Sequence, residues 1–325
     1  MTSDRLRVLL TRRWPEAAES YLAERYDVTF NPEDTLMSAD ALAQAFDAYD
    51  VICPTVSDNI DTSVIGSSPR RTRLLANFGV GFDHIHIDAC KKAKIAVTNT
   101  PGVLTDATAD LAMTLILMTA RRAGEGEREL RDGRWTGWRP THLIGRELSG
   151  KALGLVGFGR IAQATAHRAH HGFGMKILYY SRSATTAETE KNLSAKRMET
   201  LEELLRQSDV ISLHVPGGAE TKNMIGAKEI AFMNPGAILI NTARGGVIDH
   251  DALAAALKSG ALAAAGLDVY PAEPAVPPSL LALDNAVLLP HLGSATVETR
   301  EAMGLRAAAN VDAFASGSPL PDRIA

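Results

Sequence analysis

Cysteine is scarce in this chain, and so is excess charge. Only Cys53 and Cys90 occur in 325 residues, and they share no motif. A disulfide scaffold is thereby excluded, and reduced thiols in a cytoplasmic protein are expected. A formal net charge of −4 and a pI near 6.2 argue against a nucleic-acid or membrane-surface partner. The N-terminus lacks the basic, apolar and small-residue pattern of a signal peptide. Long hydrophobic runs are missing too. The longest, Leu111 to Ala120, is broken by Thr114 and Thr119 and is too short to span a bilayer. Asp110 opens it and Arg121-Arg122 close it, as a helix dipole prefers, so it reads as a buried core helix. No internal repeat or low-complexity tract is evident. His167, His170 and His171 have helical spacing, but no carboxylate or cysteine joins them, so no metal is expected. His84, His86, His142, His214 and His250 also lack a partner pattern.

What is present is a globular composition, 46% hydrophobic and 22% charged, long enough for two domains. The first hundred residues alternate strand and helix. Arg7 to Thr11, Val51 to Cys53, Leu74 to Ala76 and Ile95 to Val97 are apolar runs of strand length, and Glu16 to Tyr26 follows Pro15 as a helix. From Gly150 a second series begins. Strands are expected at 152–156, 176–180, 210–214, 237–241, 264–269 and 287–289, and helices at 160–171, 199–207 and 251–258. Six strands suit a dinucleotide-binding sheet. The helix expected from Thr296 to Ala315 comes too late for that sheet and should return to the first domain. The expected fold is therefore α/β with two doubly wound parallel-sheet domains. A Rossmann cofactor domain (101–290) is inserted in a discontinuous, flavodoxin-like substrate domain (1–100 and 291–325).

Gly157-Phe158-Gly159-Arg160-Ile161-Ala162 is a dinucleotide fingerprint in its required place, after a strand and opening a helix. Glycines let the backbone approach a pyrophosphate, and the helix N-terminus offers amides. At the end of the next strand, an acid would hydrogen-bond an NAD ribose. Here the chain reads Tyr179-Tyr180-Ser181-Arg182-Ser183, a guanidinium between two hydroxyls, which favours NADP(H) and leaves NAD(H) open.

The stretch from Ile240 to Asp249 centres on Arg244 beside two glycines, and Glu273 and His291 lie further on beside prolines. Each follows a predicted strand. An arginine can grip a 2-oxo acid, a histidine can protonate its ketone oxygen, and a carboxylate can keep that histidine charged. Four motifs in this order, with Asn77-Phe-Gly-Val80-Gly81-Phe-Asp83 upstream, resemble the D-2-hydroxyacid dehydrogenase family over nearly the whole chain. They are 154–161, Asn241-Thr-Ala-Arg244-Gly-Gly, Asp268-Val-Tyr-Pro-Ala-Glu273-Pro274 and Pro290-His291-Leu-Gly-Ser-Ala-Thr296. The resemblance implies that Arg244 binds the substrate, Glu273 orients His291, and His291 is the acid–base residue. It also implies that backbone amides around Val80 and Gly81 hold the carboxylate, and that Asp268 contacts the nicotinamide amide unless it only caps a turn. Thr105, Pro216, Thr221, Thr242, Ala243 and Gly293 complete the expected cofactor contacts.

Among subfamilies, Gly133-Arg-Trp135-Thr-Gly-Trp138-Arg139-Pro140 and the run from His291 to Thr296 are similar to glyoxylate/hydroxypyruvate reductases. That similarity implies a substrate contact from Ser294 and a homodimer in which Trp138 reaches the partner's active site, unless Trp138 is a packing anchor. Leu111 to Ala120 is apolar enough to sit at the dimer seam. The expected activity is NADPH-dependent reduction of glyoxylate and hydroxypyruvate. The alternatives are another D-2-hydroxyacid substrate, such as D-lactate or a branched 2-oxo acid, and a corepressor-like protein that senses NAD(H).

Overall fold

The computed structural model describes residues 5–66 and 70–325. Its contacts divide into two compact units, Met1–Leu104 with Ser294–Ala325, and Thr105–Gly293.

The first unit is a five-stranded parallel sheet of β1 (Arg7–Leu10), β2 (Asp27–Thr29), β3 (Val51–Cys53), β4 (Leu74–Ala76) and β5 (Ala96–Thr98). The order is β2-β1-β3-β4-β5, that of flavodoxin-like sheets. Helices cover both faces, so the strands are apolar on both. Val8 and Leu10 face one core with Phe78, Met303 and Val311, while Leu9 faces the other with Phe46 and Ile52. The helix Val297–Ala315 lies in this unit, packed on Glu16–Arg25. A Cβ at Gly304 would lie 2.5 Å from that of Ala18, so the two helices need glycine to approach this closely. Tyr21 and Tyr26 both donate to Asp312 across the same contact.

The second unit carries β6 (Ala152–Val156), β7 (Lys176–Tyr180), β8 (Ala195–Arg197), β9 (Val210–Leu213), β10 (Ile238–Asn241), β11 (Ala264–Leu267) and β12 (Ala286–Leu288). Its seven parallel strands are ordered β12-β11-β10-β9-β6-β7-β8. From β8 to β11 this is the dinucleotide-binding order, with β12 added. The sequence pointed to six strands. The seventh is β8, an edge strand reading Ala-Lys-Arg, with no apolar run to reveal it. Between β6 and β9 the strand order reverses, and such a switch point opens a crevice at the carboxyl ends of the strands.

Two expectations need correction. The helix after the fingerprint is α-helical only over Arg160–His167, then widens into a π-helical turn at Arg168–Gly172. The apolar run at 111–120 belongs to a longer helix, Thr105–Ala120, which packs on β10, β11 and β12. Its Ala112, Leu115 and Ile116 are buried within their own unit, while Leu111, Leu117 and Met118 are only half-buried. Among the described residues, no helix is long and apolar enough to cross a membrane, and no group of three or more His, Cys, Asp or Glu could hold a metal ion.

Candidate active site

All the expected cofactor and catalytic residues of the second unit except Thr105 and Trp138 follow the carboxyl ends of its parallel strands. The fingerprint turn leaves β6 at Gly157, where φ is +87°. A Cβ there would lie 2.4 Å from the carbonyl oxygen of His214, so only glycine lets this turn pass the end of β9. Gly159 caps the helix Arg160–His167 without a capping side chain, and nothing lies within 4 Å of where its Cβ would be. The amides of that first turn, at Arg160 and Ile161, thus have no capping side chain. Phe158 stacks on Tyr179 at 4.0 Å, tying the turn to β7. At the end of β10, Thr242 is buried and its Oγ1 has no hydrogen-bond partner among the described residues. An open glycine cradle, uncapped amides and an orphaned hydroxyl fit a dinucleotide.

Ser181, Arg182 and Ser183 form the turn after β7. Ser181 Oγ donates to the Ser183 carbonyl, and Arg182 Nη1 donates to Glu220 Oε2 at 3.0 Å. Arg197, on β8, donates Nη2 to the carbonyls of Ser181 (3.1 Å) and Arg182 (3.4 Å). Neither Glu220 nor Arg197 was singled out from sequence. Glu220 stands in the loop after β9, which Thr221 closes by donating Oγ1 to the Pro216 carbonyl at 2.7 Å.

The candidate catalytic corner is assembled from three strand ends. Asn241, fully buried at the end of β10, accepts from Ala243 N (2.9 Å) and donates to Arg244 O (2.8 Å). That side-chain turn sets the backbone that carries Arg244, and the motif was visible as an asparagine before small residues. Gly245 is required next, because a Cβ there would lie 2.0 Å from the Tyr270 carbonyl carbon. Arg244 Nη1 donates to the Ala243 carbonyl at 2.8 Å. After β11, Tyr270 N donates to Glu273 Oε1 at 2.9 Å, and His291 Nδ1 sits 2.7 Å from Glu273 Oε2. Nδ1 is thus engaged, and Nε2 is the ring nitrogen left for a substrate oxygen. His291 itself has φ +56°, in the left-handed region that non-glycine residues visit rarely. Its backbone is fixed there by its own N–H to Asp268 O (2.9 Å), while the Asp268 carboxylate accepts from Leu292 N (2.7 Å) and Gly293 N (2.8 Å). Asp268 is fully buried, and these contacts are those of a turn cap.

The electrostatics follow from these contacts. Burial works against a charged Glu273. The hydrogen bond and charge of His291, the Tyr270 amide and the Arg244 charge outweigh it and hold the carboxyl below its ordinary range. For Asp268 burial prevails over the two amides and pushes the carboxyl up. The ring of His214, packed behind the fingerprint turn, is pushed down by burial to about 4, and its Nε2 lies 2.9 Å from Ser212 Oγ.

Val80 and Gly81 lie in the first unit, in the loop after β4. Asn99 donates to Val80 O at 2.9 Å, and Asn77 donates to Gly81 O at 2.9 Å while its Oδ1 meets His84 Nε2 at 3.0 Å. The carbonyls are thereby fixed, which orients the adjoining peptide planes. Ser294 opens the second segment of that unit. Trp138 is 82% exposed, so it is not a packing anchor within its own chain.

Residues 113–293, more than half of the chain, match the family model "D-isomer specific 2-hydroxyacid dehydrogenase, NAD binding domain". A glyoxylate reductase of Thermococcus litoralis is 45% identical over 98% of this chain and 96% of its own length. The crystal structure of a glyoxylate reductase from Paecilomyes thermophila superposes with a TM-score of 0.87 at 34% identity, covering 98% of each chain. An NADPH-dependent glyoxylate/hydroxypyruvate reductase from Sinorhizobium meliloti, solved with NADP and malonate, has a TM-score of 0.87 at 32% identity over 99% of this chain and 97% of that one. With this cofactor cradle, the chain belongs to the D-isomer specific 2-hydroxyacid dehydrogenases, and it is an NAD(P)-dependent oxidoreductase that reduces 2-oxo acids.

Proposed function

We propose that this chain reduces glyoxylate and hydroxypyruvate with NADPH in preference to NADH. The observation that carries the reading is the 2.7 Å contact between His291 and an ionised Glu273, in the unit that also presents Arg244. When bound, the nicotinamide cofactor supplies a hydride to the carbonyl carbon of the substrate. His291 donates the proton from Nε2 to the oxygen on which charge develops. Glu273 keeps the ring oriented through Nδ1 and stabilises the imidazolium between turnovers. Arg244 binds the substrate carboxylate, a planar partner for a guanidinium. The amides of Val80 and Gly81 are proposed to share that carboxylate, Ser294 to contact the substrate, and Trp138 to serve the active site of a second subunit in a homodimer. Its exposure supports such a use. The uncapped turn at 157–161, with Thr242, holds the dinucleotide, and Ser181 and Arg182 take the 2′-phosphate. A cytoplasmic location is part of the same proposal.

The test is oxidation of NADPH and of NADH against a panel of 2-oxo acids that includes pyruvate and a branched homologue. Higher kcat/KM with glyoxylate and hydroxypyruvate than with the rest supports the reading. Preference for pyruvate or the branched acid would reassign the substrate, and cofactor binding without turnover of any member would point to a sensor.

A further inference from the structure

We propose that the ion pair of Arg182 with Glu220 is a two-way cofactor selector, in which Arg182 takes the 2′-phosphate of NADPH and Glu220 takes the free 2′-hydroxyl of NADH. The inference rests on the reading of Ser181-Arg182-Ser183 as the adenosine-ribose site.

A dinucleotide-binding sheet makes its cofactor choice at the end of the second strand, which is β7 here. An acid at that place accepts a hydrogen bond from a ribose hydroxyl and repels a phosphate, whereas an arginine pairs with the phosphate. Residues 179–183 contain no acid. The structure brings one in from another loop, Glu220, with Oε2 3.0 Å from Arg182 Nη1. The chain therefore presents both answers side by side.

Both arms of the pair are held from behind. Arg197 binds the carbonyls of Ser181 and Arg182, which fixes the turn and adds positive charge to it. Thr221 ties its loop to the Pro216 and Gly218 carbonyls at 2.7 and 3.3 Å, which holds the neighbouring Glu220 near the turn. The two charged side chains are each 83% exposed, so separating them costs little. A phosphate on Arg182 displaces the Glu220 carboxylate by repulsion. A free ribose hydroxyl leaves the pair intact and donates to Glu220. Glu220 thus lowers the discrimination against NADH that Arg182 alone would impose.

The experiment measures Kd for NADPH and NADH, by fluorescence of the reduced nicotinamide, in the full chain and its Glu220→Gln and Arg182→Gln variants. Thermal melts confirm that both variants fold. The selector predicts that Glu220→Gln weakens NADH roughly three- to fivefold and leaves NADPH equal or tighter, as removal of one exposed charge allows. Arg182→Gln should weaken NADPH and leave NADH nearly unchanged. An equal change for both cofactors in Glu220→Gln, or none for NADH, overturns the selector. If Arg182→Gln still weakens NADPH in that case, the 2′-phosphate reading survives alone. If Arg182→Gln leaves NADPH unchanged, the 2′-phosphate reading fails, and the arginine half of the selector fails with it.

Discussion

Two polar clusters at the carboxyl edge of the same sheet are built in opposite ways. The catalytic corner is held by buried groups. Asn241 and Asp268 are both fully buried, and together with the Tyr270 amide they fix the loops that carry Arg244, Glu273 and His291. The turn after β7 is held by exposed groups, the Arg182–Glu220 ion pair, the Ser181 hydroxyl on the Ser183 carbonyl and the carbonyl contacts from Arg197. Chemistry needs atoms placed to fractions of an ångström before the reaction begins, and buried hydrogen bonds supply that placement. Cofactor choice is a difference between two binding energies, and a solvated pair can shift it at little cost to stability. The corner should therefore tolerate almost no change, whereas the turn should be adjustable.

Replacing Arg244 with alanine attacks the corner directly. kcat/KM for the oxo acid should fall by about 10²- to 10³-fold, with a raised KM, since a charged hydrogen-bonding group is lost from the reacting centre. Steady-state kinetics check this, and a fall below tenfold would mean that the substrate is held elsewhere. Asn241→Ala tests whether the corner depends on its buried support. Leaving the Ala243 amide and the Arg244 carbonyl unpartnered should cost roughly 1–3 kcal/mol in urea unfolding. It should lower kcat as well, although Asn241 acts through the Arg244 backbone rather than as a proposed substrate or cofactor contact. A variant that loses stability but keeps full kcat would break the link between support and chemistry.

At the adjustable turn the effects are smaller. Arg182→Ala should raise KM for NADPH about tenfold with little change for NADH, the size expected for one charge-assisted contact. Equal responses of the two cofactors would remove the phosphate role. A separate effect concerns the pH dependence of stability. His214 is held neutral by burial, its ordinary value of 6.5 lowered to about 4, and His250 is pushed in the same direction. Below pH 6.5 the unfolded chain takes up protons that the native histidines refuse, so stability should decline as pH falls from 6.5 towards 4. Above that window these groups contribute no slope. Urea unfolding at several pH values should show a shallower decline in His214→Gln, and an unchanged slope would contradict the burial account.

The corner was legible in the sequence because its three residues each follow an apolar strand and stand beside glycine or proline, where a chain turns out of a sheet. The strands themselves were legible where they are apolar on both faces, as with Val51–Cys53 and Leu74–Ala76. The edge strands Asp27–Thr29 and Ala195–Arg197 were not, since partly exposed polar residues carry no hydrophobic period. Missing β8 also hid Arg197. Glu220 was hidden for another reason: it lies 38 residues from Arg182 in the chain, and they meet because β7 and β9 both flank β6 in the sheet. A pair made by sheet order leaves no local trace.

The central claim is that His291 delivers the proton, while Glu273 holds its ring and Arg244 holds the substrate. Single-turnover reduction of glyoxylate by His291→Ala, with NADPH saturating and its Kd measured in the same preparation, tests that claim most directly. The rate should fall by about 10²- to 10⁴-fold while NADPH affinity stays within roughly twofold of the parent, because only the transition state requires the proton. A near-normal rate in this variant would contradict the assignment and leave the Glu273–His291 pair without its proposed role.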